Sequence, residues 1–293
     1  MFIIRFSPNK ARYHTAGDRL HLLLNGGAVA IALVALATPA VAYRPFDGTD
    51  AAVADVKEVE IELQPLGGLK ERLSDGTQTS LIAPEMIINY GFAERWEFVL
   101  QGLVNSPVAP VGEPSLQATG AFLKYIARPG VLQDKPGPSI AMEFGPLLPG
   151  INADNGVGFS WAAIISQRWD WGTAHFNVET NLTRDQHGEA FLDLILEGPS
   201  RWTVRPVMEI FYDKVWNQTE EYSGLIGAIW KVRDNLSFDA AFRYAIRDGR
   251  PINEIRAGLT FAFKVDGEKK DKEKEGTSTR SGASFGNWNL ATR

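Results

Sequence analysis

From Val56 to Phe263 the chain repeats one pattern. Segments of roughly ten residues place apolar side chains on one parity and polar ones on the other, and each ends in a turn signal. Between Leu236 and Arg247, Leu236, Phe238, Ala240, Phe242, Tyr244 and Ile246 share one face, against Ser237, Asp239, Ala241, Arg243, Ala245 and Arg247. Thr173 to Leu182 alternates in the same way, with Ala174, Phe176, Val178 and Leu182 on one parity. So does Val204 to Asp213, where Val204, Met208, Ile210 and Tyr212 oppose Arg205, Glu209 and Asp213. Successive side chains of a strand point to opposite faces, whereas a helix would repeat at 3.6 residues. The chain is therefore read as all-β, with about twelve strands of nine to eleven residues.

The connections add an architecture. Short hairpin-type turns fall at Phe92-Ala93-Glu94-Arg95, Asp170-Trp171-Gly172, Gly198-Pro199-Ser200-Arg201 and Arg233-Asp234-Asn235. Longer polar loops are expected between them at Ser74 to Thr79, Ser106 to Ser115, Pro149 to Gly158, Arg184 to Glu189, Asn217 to Glu221 and Asp248 to Pro251. Arg128 to Pro138 is a longer connection where a short turn is due. An even number of strands with short turns at one end and longer loops at the other describes a transmembrane, antiparallel, up-and-down β-barrel of the outer-membrane type. A soluble secreted β protein would share the alternation, and the tryptophans discriminate between the two. Trp96, Trp161, Trp169, Trp171, Trp202, Trp216 and Trp230 fall at or near expected strand ends. There they would form the two aromatic girdles at the membrane interfaces, in contact with outer-membrane lipid.

Composition narrows the choice further. The 293 residues include no cysteine, so there is no disulfide framework and no thiolate metal or redox site. A mean hydropathy of -0.14 excludes a bundle of membrane helices. At the N-terminus, Arg5, Lys10, Arg12 and Arg19 precede an apolar core from Ala28 to Ala37, then Pro39 and Ala40-Val41-Ala42. That order reads as a secretory leader, residues 1–42, with cleavage expected before Tyr43, in preference to a single transmembrane anchor, because Asn25-Gly26-Gly27 interrupts the apolar run. Residues 264–293 carry the run Glu268-Lys269-Lys270-Asp271-Lys272-Glu273-Lys274-Glu275 and a Gly/Ser/Thr-rich end, the composition of a disordered charged tail. The whole chain has a formal charge of -5, but residues 43–263 hold 19 Lys+Arg against 29 Asp+Glu, a net -10. An acidic barrel without a basic face is no nucleic-acid binder.

The last expected strand, Arg256-Ala257-Gly258-Leu259-Thr260-Phe261-Ala262-Phe263, resembles the C-terminal strand read by the bacterial barrel-assembly machinery, with Gly258, Phe261 and Phe263 as the signal and that machinery as a partner. Motifs of this kind normally end a chain, and here some thirty residues follow. Tyr43-Arg44-Pro45-Phe46-Asp47-Gly48-Thr49-Asp50-Ala51-Ala52-Val53-Ala54 and the acidic strand Glu58-Val59-Glu60-Ile61-Glu62-Leu63 are similar to the outer-membrane proteins of the "meta-pathway of phenol degradation" family. Leu81-Ile82-Ala83-Pro84-Glu85 and Asn89-Tyr90-Gly91-Phe92 through Trp96-Glu97 fit the same family's second strand, turn and third strand. The resemblance implies a channel-like role, with uptake of aromatic or other hydrophobic compounds. It brings no catalytic residue and no cofactor.

The polar parity supplies the candidate lumen: Glu85, Glu97, Lys124, Glu143, Arg168, His175, Glu179, Asp193, Arg205, Glu209, Asp239, Arg243 and Arg256, with Glu60, Glu62, Glu197, Asp213, Lys231 and Glu254 on the same face. Such a face either satisfies itself as a salt-bridged plug or lines a wet, negative, cation-preferring passage for a small-molecule solute. Chemistry is the weaker reading. His14 and His21 lie in the leader and His187 sits in a loop beside Asp185 and Glu189, where a divalent-cation contact is the sharper but lesser option, so no metal site is assigned. His175 has Asn177 and Glu179 on its face but no serine two residues away, so a nucleophile is missing. Three functions follow in order: a passive channel, a closed structural or adhesion barrel acting through its loops, and a lipid-modifying barrel enzyme.

Overall fold

The computed structural model describes residues 44–265. The leader lies outside the described residues together with its expected junction at Tyr43, and so does nearly all of the tail. Twelve strands follow in order: β1 Glu58–Arg72, β2 Thr77–Ala93, β3 Trp96–Ala109, β4 Ser115–Arg128, β5 Ser139–Leu147, β6 Gly158–Trp169, β7 Gly172–Leu182, β8 Gly188–Glu197, β9 Val204–Val215, β10 Glu220–Arg233, β11 Leu236–Arg247 and β12 Arg250–Lys264. Each pairs antiparallel with its neighbours in sequence, and β1 pairs with β12 to close the barrel. Closure leaves no strand with an unpaired edge.

The alternation sorts the wall into two faces. Met86, Leu100, Ile165, Phe176, Leu192, Met208, Ile210, Ile226, Phe242 and Ile255 are exposed on the outside. Glu62, Asn89, Glu97, Lys124, His175, Asn177, Asp193, Glu209, Arg243 and Arg256 are buried within. A barrel with its apolar side out and its charges in is the inverse of a water-soluble one. A twelve-residue strand rises about 40 Å along its own axis, and a tilt near 45° reduces that to about 28 Å, close to the hydrocarbon thickness of a bilayer. Among the described residues no helix is long and apolar enough to cross a membrane.

Three expectations are corrected. The strands run from 9 to 17 residues, longer than nine to eleven, because backbone pairing continues past the apolar stretch: Lys70 and Arg72 still pair with Thr79 and Thr77. The loops shorten accordingly and the expected asymmetry narrows. At the end opposite the termini the connections span residues 73–76, 110–114, 148–157, 183–187, 216–219 and 248–249; at the end where both termini emerge, the terminal end, they span 94–95, 129–138, 170–171, 198–203 and 234–235. The long connection 129–138 is folded around a 3-10 turn, Val131–Gln133. Finally, the barrel wall begins at Glu58, not at residue 43: residues 44–54 lie inside it and the exposed residues 55–57 lead into β1.

Bulges interrupt the register of adjacent strands at Leu63/Leu66, Ile82/Glu85 and Gln101/Leu103. An extra residue reverses the parity beyond it. In β2, Ser80 and Ile82 are buried on even numbers, whereas beyond the bulge Glu85, Ile87 and Asn89 face the interior on odd ones.

Candidate functional site in the barrel interior

The segment 44–54 forms a strap across the lumen, held by side chains from most of the wall. Arg44 is 4 % exposed and reaches Glu85 of β2 (3.0 Å), Gln64 of β1 and Asp239 of β11 (3.6 Å). Phe46 packs on Val207 and Ile229. The amides of Asp47 and Gly48 both donate to Glu209 Oε1, at 2.8 and 2.9 Å, and the Thr49 amide donates to Asn177 Oδ1 at 3.1 Å. Arg256 donates to the Pro45 carbonyl and to the Asp47 carboxylate, each at 2.9 Å. Lys124 Nζ donates to Thr49 Oγ1 at 3.0 Å and faces Asp50 at 3.7 Å and Glu97 at 4.0 Å. Ala54 N closes the strap by donating to Glu97. An irregular backbone can lie in a barrel only if its polar groups find partners, and the inward charges supply them.

Close approach fixes two glycines. A Cβ on Gly48 would lie 1.8 Å from Asp193 Oδ2, and one on Gly258 would lie 2.4 Å from Arg44 Nε. Gly258, expected as part of an assembly signal, thus faces inward against the strap. Phe261 and Phe263 of the same strand lie on the other face, their rings stacked 6.2 Å apart.

Beside the strap lies a cavity of about 1070 Å³. Its lining includes Glu58, Glu94 and Asp134 toward the terminal end and Glu189, Glu221 and Arg247 toward the other, with Glu60, Glu62, Glu97, Glu143 and Glu179 between them. On one side, Glu60, Glu62, Glu97 and Asp50 gather around Lys124, and Asn89 donates to Glu62 at 3.0 Å. Glu179 accepts from Ser160 and Asn181. On the other side arginine and carboxylate alternate. Arg243 bonds Glu254 (2.7 Å) and Glu221 (2.6 Å), Arg247 bonds Glu221 (2.6 Å) and Glu71 (2.9 Å), and Arg256 bonds Glu254 (2.9 Å). Paired arginines there cancel charge, whereas Glu60, Glu62, Glu143, Glu179 and Glu189 line the cavity without an ion pair among the described residues, so the excess of carboxylate runs from β1 round to β8.

Of the thirteen residues expected at the lumen, Glu85, Glu97, Lys124, Glu143, Glu179 and Arg243 line the large cavity, and the other seven carry the inward parity of their strands without lining it. Besides those named above, Asp193 receives Asn177 Nδ2 at 3.0 Å, Arg205 faces Glu197 at 3.4 Å, and Arg168 shares the inward parity of Ser166. The seven tryptophans turn outward but not into two equal rings: Trp96, Trp169, Trp171, Trp202 and Trp230 lie at the terminal end, Trp161 and Trp216 toward the other. Trp169 stacks on Trp171 at 5.1 Å and Trp96 contacts Tyr125 at 4.5 Å, while Tyr212 and Tyr222, 4.9 Å apart, serve the opposite end. The His187 ring faces Asp185 at 3.7 Å on the surface.

His175 has the serine that sequence spacing does not offer. Ser166 Oγ, one strand away in β6, lies 2.8 Å from His175 Nδ1, and His175 Nε2 lies 3.2 Å from Glu197 Oε1. The acid comes from β8, not from Glu179. Ser166 is fully buried beneath the strap and its Oγ accepts the Ala51 amide at 2.9 Å, while Gln133 holds the Ala51 carbonyl. A nucleophile needs space for its substrate, and neither Ser166 nor His175 borders the cavity. The trio anchors the strap. Sequence reading also misses Arg44, Asp47 and Asp50, whose lumen role rests on the chain folding back. It misses Glu71 and Glu221 too, and it leaves Arg247, which it placed on the polar parity of its strand, out of the lumen set.

No family model matches the chain, and no curated protein matches it in sequence. Among solved structures it is similar to the COG4313 outer membrane channel from Pseudomonas putida F1, with a TM-score of 0.57 at 8% identity, over 75% of this chain and 100% of that one. A looser likeness, with a TM-score of 0.45 at 12% identity, covers 68% of this chain and 98% of the KdgM porin. With the first of these the chain shares the closed outer-membrane barrel fold.

Proposed function

We propose that the chain is an outer-membrane channel for passive passage of small solutes, with a preference for cations. The observation that carries this reading is the cavity of about 1070 Å³ with a carboxylate-dominated lining that reaches both ends of a closed barrel. Fixed carboxylates in a confined, low-dielectric passage concentrate cations and repel anions. The remaining parts fit such a route: export by the leader 1–42, assembly through the strand that carries Phe261 and Phe263, and seating in lipid by the outward tryptophans. The resemblance to the phenol meta-pathway family adds aromatic or other hydrophobic cargo, but a lining of glutamates favours polar cations. Planar-bilayer recording on refolded protein tests the reading. Discrete conductance steps with a cation-selective reversal potential are expected; conductance at background across salts and pH would sink it.

The strap favours a second reading, a closed barrel acting through its loops. At the end opposite the termini all but one of the connections hold five residues or fewer, which leaves little surface for a partner. An enzymatic role would require Ser166 to be reachable, and Ala51 covers it.

A further inference from the structure

The interior holds more acid than base, yet one of its arginines has no carboxylate. Among the described residues, Arg44, Lys124, Arg205, Arg243, Arg247 and Arg256 each form an ion pair. Arg168, inward on β6, forms none, and its Nε is buried without a hydrogen-bond partner. Glu197 is near enough to feel its charge, but the two Glu197 oxygens are taken by His175 and Arg205. Arg168 itself is half-buried, but a buried donor left unmet is costly unless something else completes it.

Arg168 borders a second cavity, of about 450 Å³, at the terminal end between the connection 129–138 and the turns after β6 and β8. Lys135 and Arg201 border it as well. Neither has an ion pair among the described residues, and Arg201 donates only to the Asp170 carbonyl, at 3.0 Å. Asp134 and Asp170 are the acids of the lining, leaving three cations against two anions. Ser200 contributes a hydroxyl and Trp169 an apolar wall. The cavity adjoins the lumen, since Asp134 borders both.

We infer that this cavity is an oxyanion-binding site at the terminal mouth of the barrel, in which Arg168, Lys135 and Arg201 receive a phosphate group. Arginine presents several N–H donors in a planar fork suited to phosphate oxygens, and among the described residues no carboxylate is paired with that of Arg168, although Asp134 and Asp170 share the cavity. The phosphate can be a free ion or the headgroup of an anionic lipid, brought there by the neighbouring interfacial Trp169.

Isothermal titration of inorganic phosphate into the refolded full chain, held in a phosphate-free, sugar-headed detergent, tests the site. A saturable signal is expected, weakened at least about tenfold in Arg168→Gln and in Arg201→Gln and unchanged in Arg72→Gln, which lies on the outer rim away from the cavity. Arg201 is exposed on a turn, so its variant keeps the test valid should Arg168→Gln fail to assemble, which heat-modifiable gel migration reports. Native mass spectrometry after equilibration with phosphatidylglycerol separates the sources. Lipid retained by the wild type and lost from Arg201→Gln identifies a headgroup; phosphate binding without lipid retention identifies a free ion. Wild type that binds neither ligand better than Arg201→Gln overturns the proposal.

Discussion

Arg256 and Asp47 meet at 2.9 Å although 209 residues separate them in sequence, and through this pair β12 pins the strap that crosses the lumen. Arg256 also holds the Pro45 carbonyl and the buried Glu254, so its removal would leave Asp47 without its ion pair and Glu254 with Arg243 alone. Arg256→Met is expected to lower stability by about 3–5 kcal/mol, read from urea unfolding in lipid vesicles. It should also raise single-channel current noise as the strap loosens. Unchanged unfolding and noise would show that the pair does not anchor the strap.

Ser166→Ala removes the acceptor of the Ala51 amide and the partner of His175 Nδ1 while leaving the wall in place. A loss of about 1–3 kcal/mol is expected, concentrated in the strap. Hydrogen exchange followed by mass spectrometry should show faster exchange in peptides covering residues 44–54 and little change in β6 and β7. If the strap exchanges at the wild-type rate, the serine is not an anchor.

Glu60→Gln and Glu62→Gln remove charge from the β1–β3 side of the lumen, where carboxylates outnumber bases. In a salt gradient the reversal potential of the double variant should move toward zero relative to wild type. Glu254→Gln, whose charge is matched by Arg243 and Arg256, should unsettle the arginine side without removing an unpaired carboxylate. A double variant with wild-type selectivity would place the filter elsewhere.

The outward tryptophans offer a direct reading of membrane placement. With five of the seven at the terminal end, brominated lipids should quench fluorescence more strongly when the bromines sit near the headgroups than when they sit at the chain ends. Equal absence of quenching at both depths would mean that the barrel is not in lipid.

Asp185 lies in the connection 183–187, where hydrogen bonds from Thr183 and Gln218 hold its carboxyl below the usual carboxylate range. A lowered folded-state pKa contributes stability that is present above the unfolded value and is lost as pH falls through the folded one. The link between connections 183–187 and 216–219 should therefore loosen only in strong acid. Thr183→Ala with Gln218→Ala should return the Asp185 titration, followed by NMR, toward the ordinary range; a titration that does not move would show that these bonds are not its cause.

The alternation alone determined the wall. Because a strand's side chains change face at every residue, parity assigned Glu97, Asp193, Glu209 and Arg243 to the inside and Phe176, Met208 and Phe242 to the outside. It failed only where an extra residue reversed the phase, as between Ile82 and Glu85. What fills the barrel was left to the tertiary structure. Nothing local in residues 44–54 says that they turn back into the lumen; the reason lies in Glu209, Asn177, Lys124, Ser166 and Arg256, which converge only after closure. The same holds for Ser166, His175 and Glu197, which lie on three adjacent strands and become neighbours through register. A repeat of period two encodes which way each side chain points, whereas the partner it meets depends on contacts across the barrel, and those exist only once β1 has paired with β12.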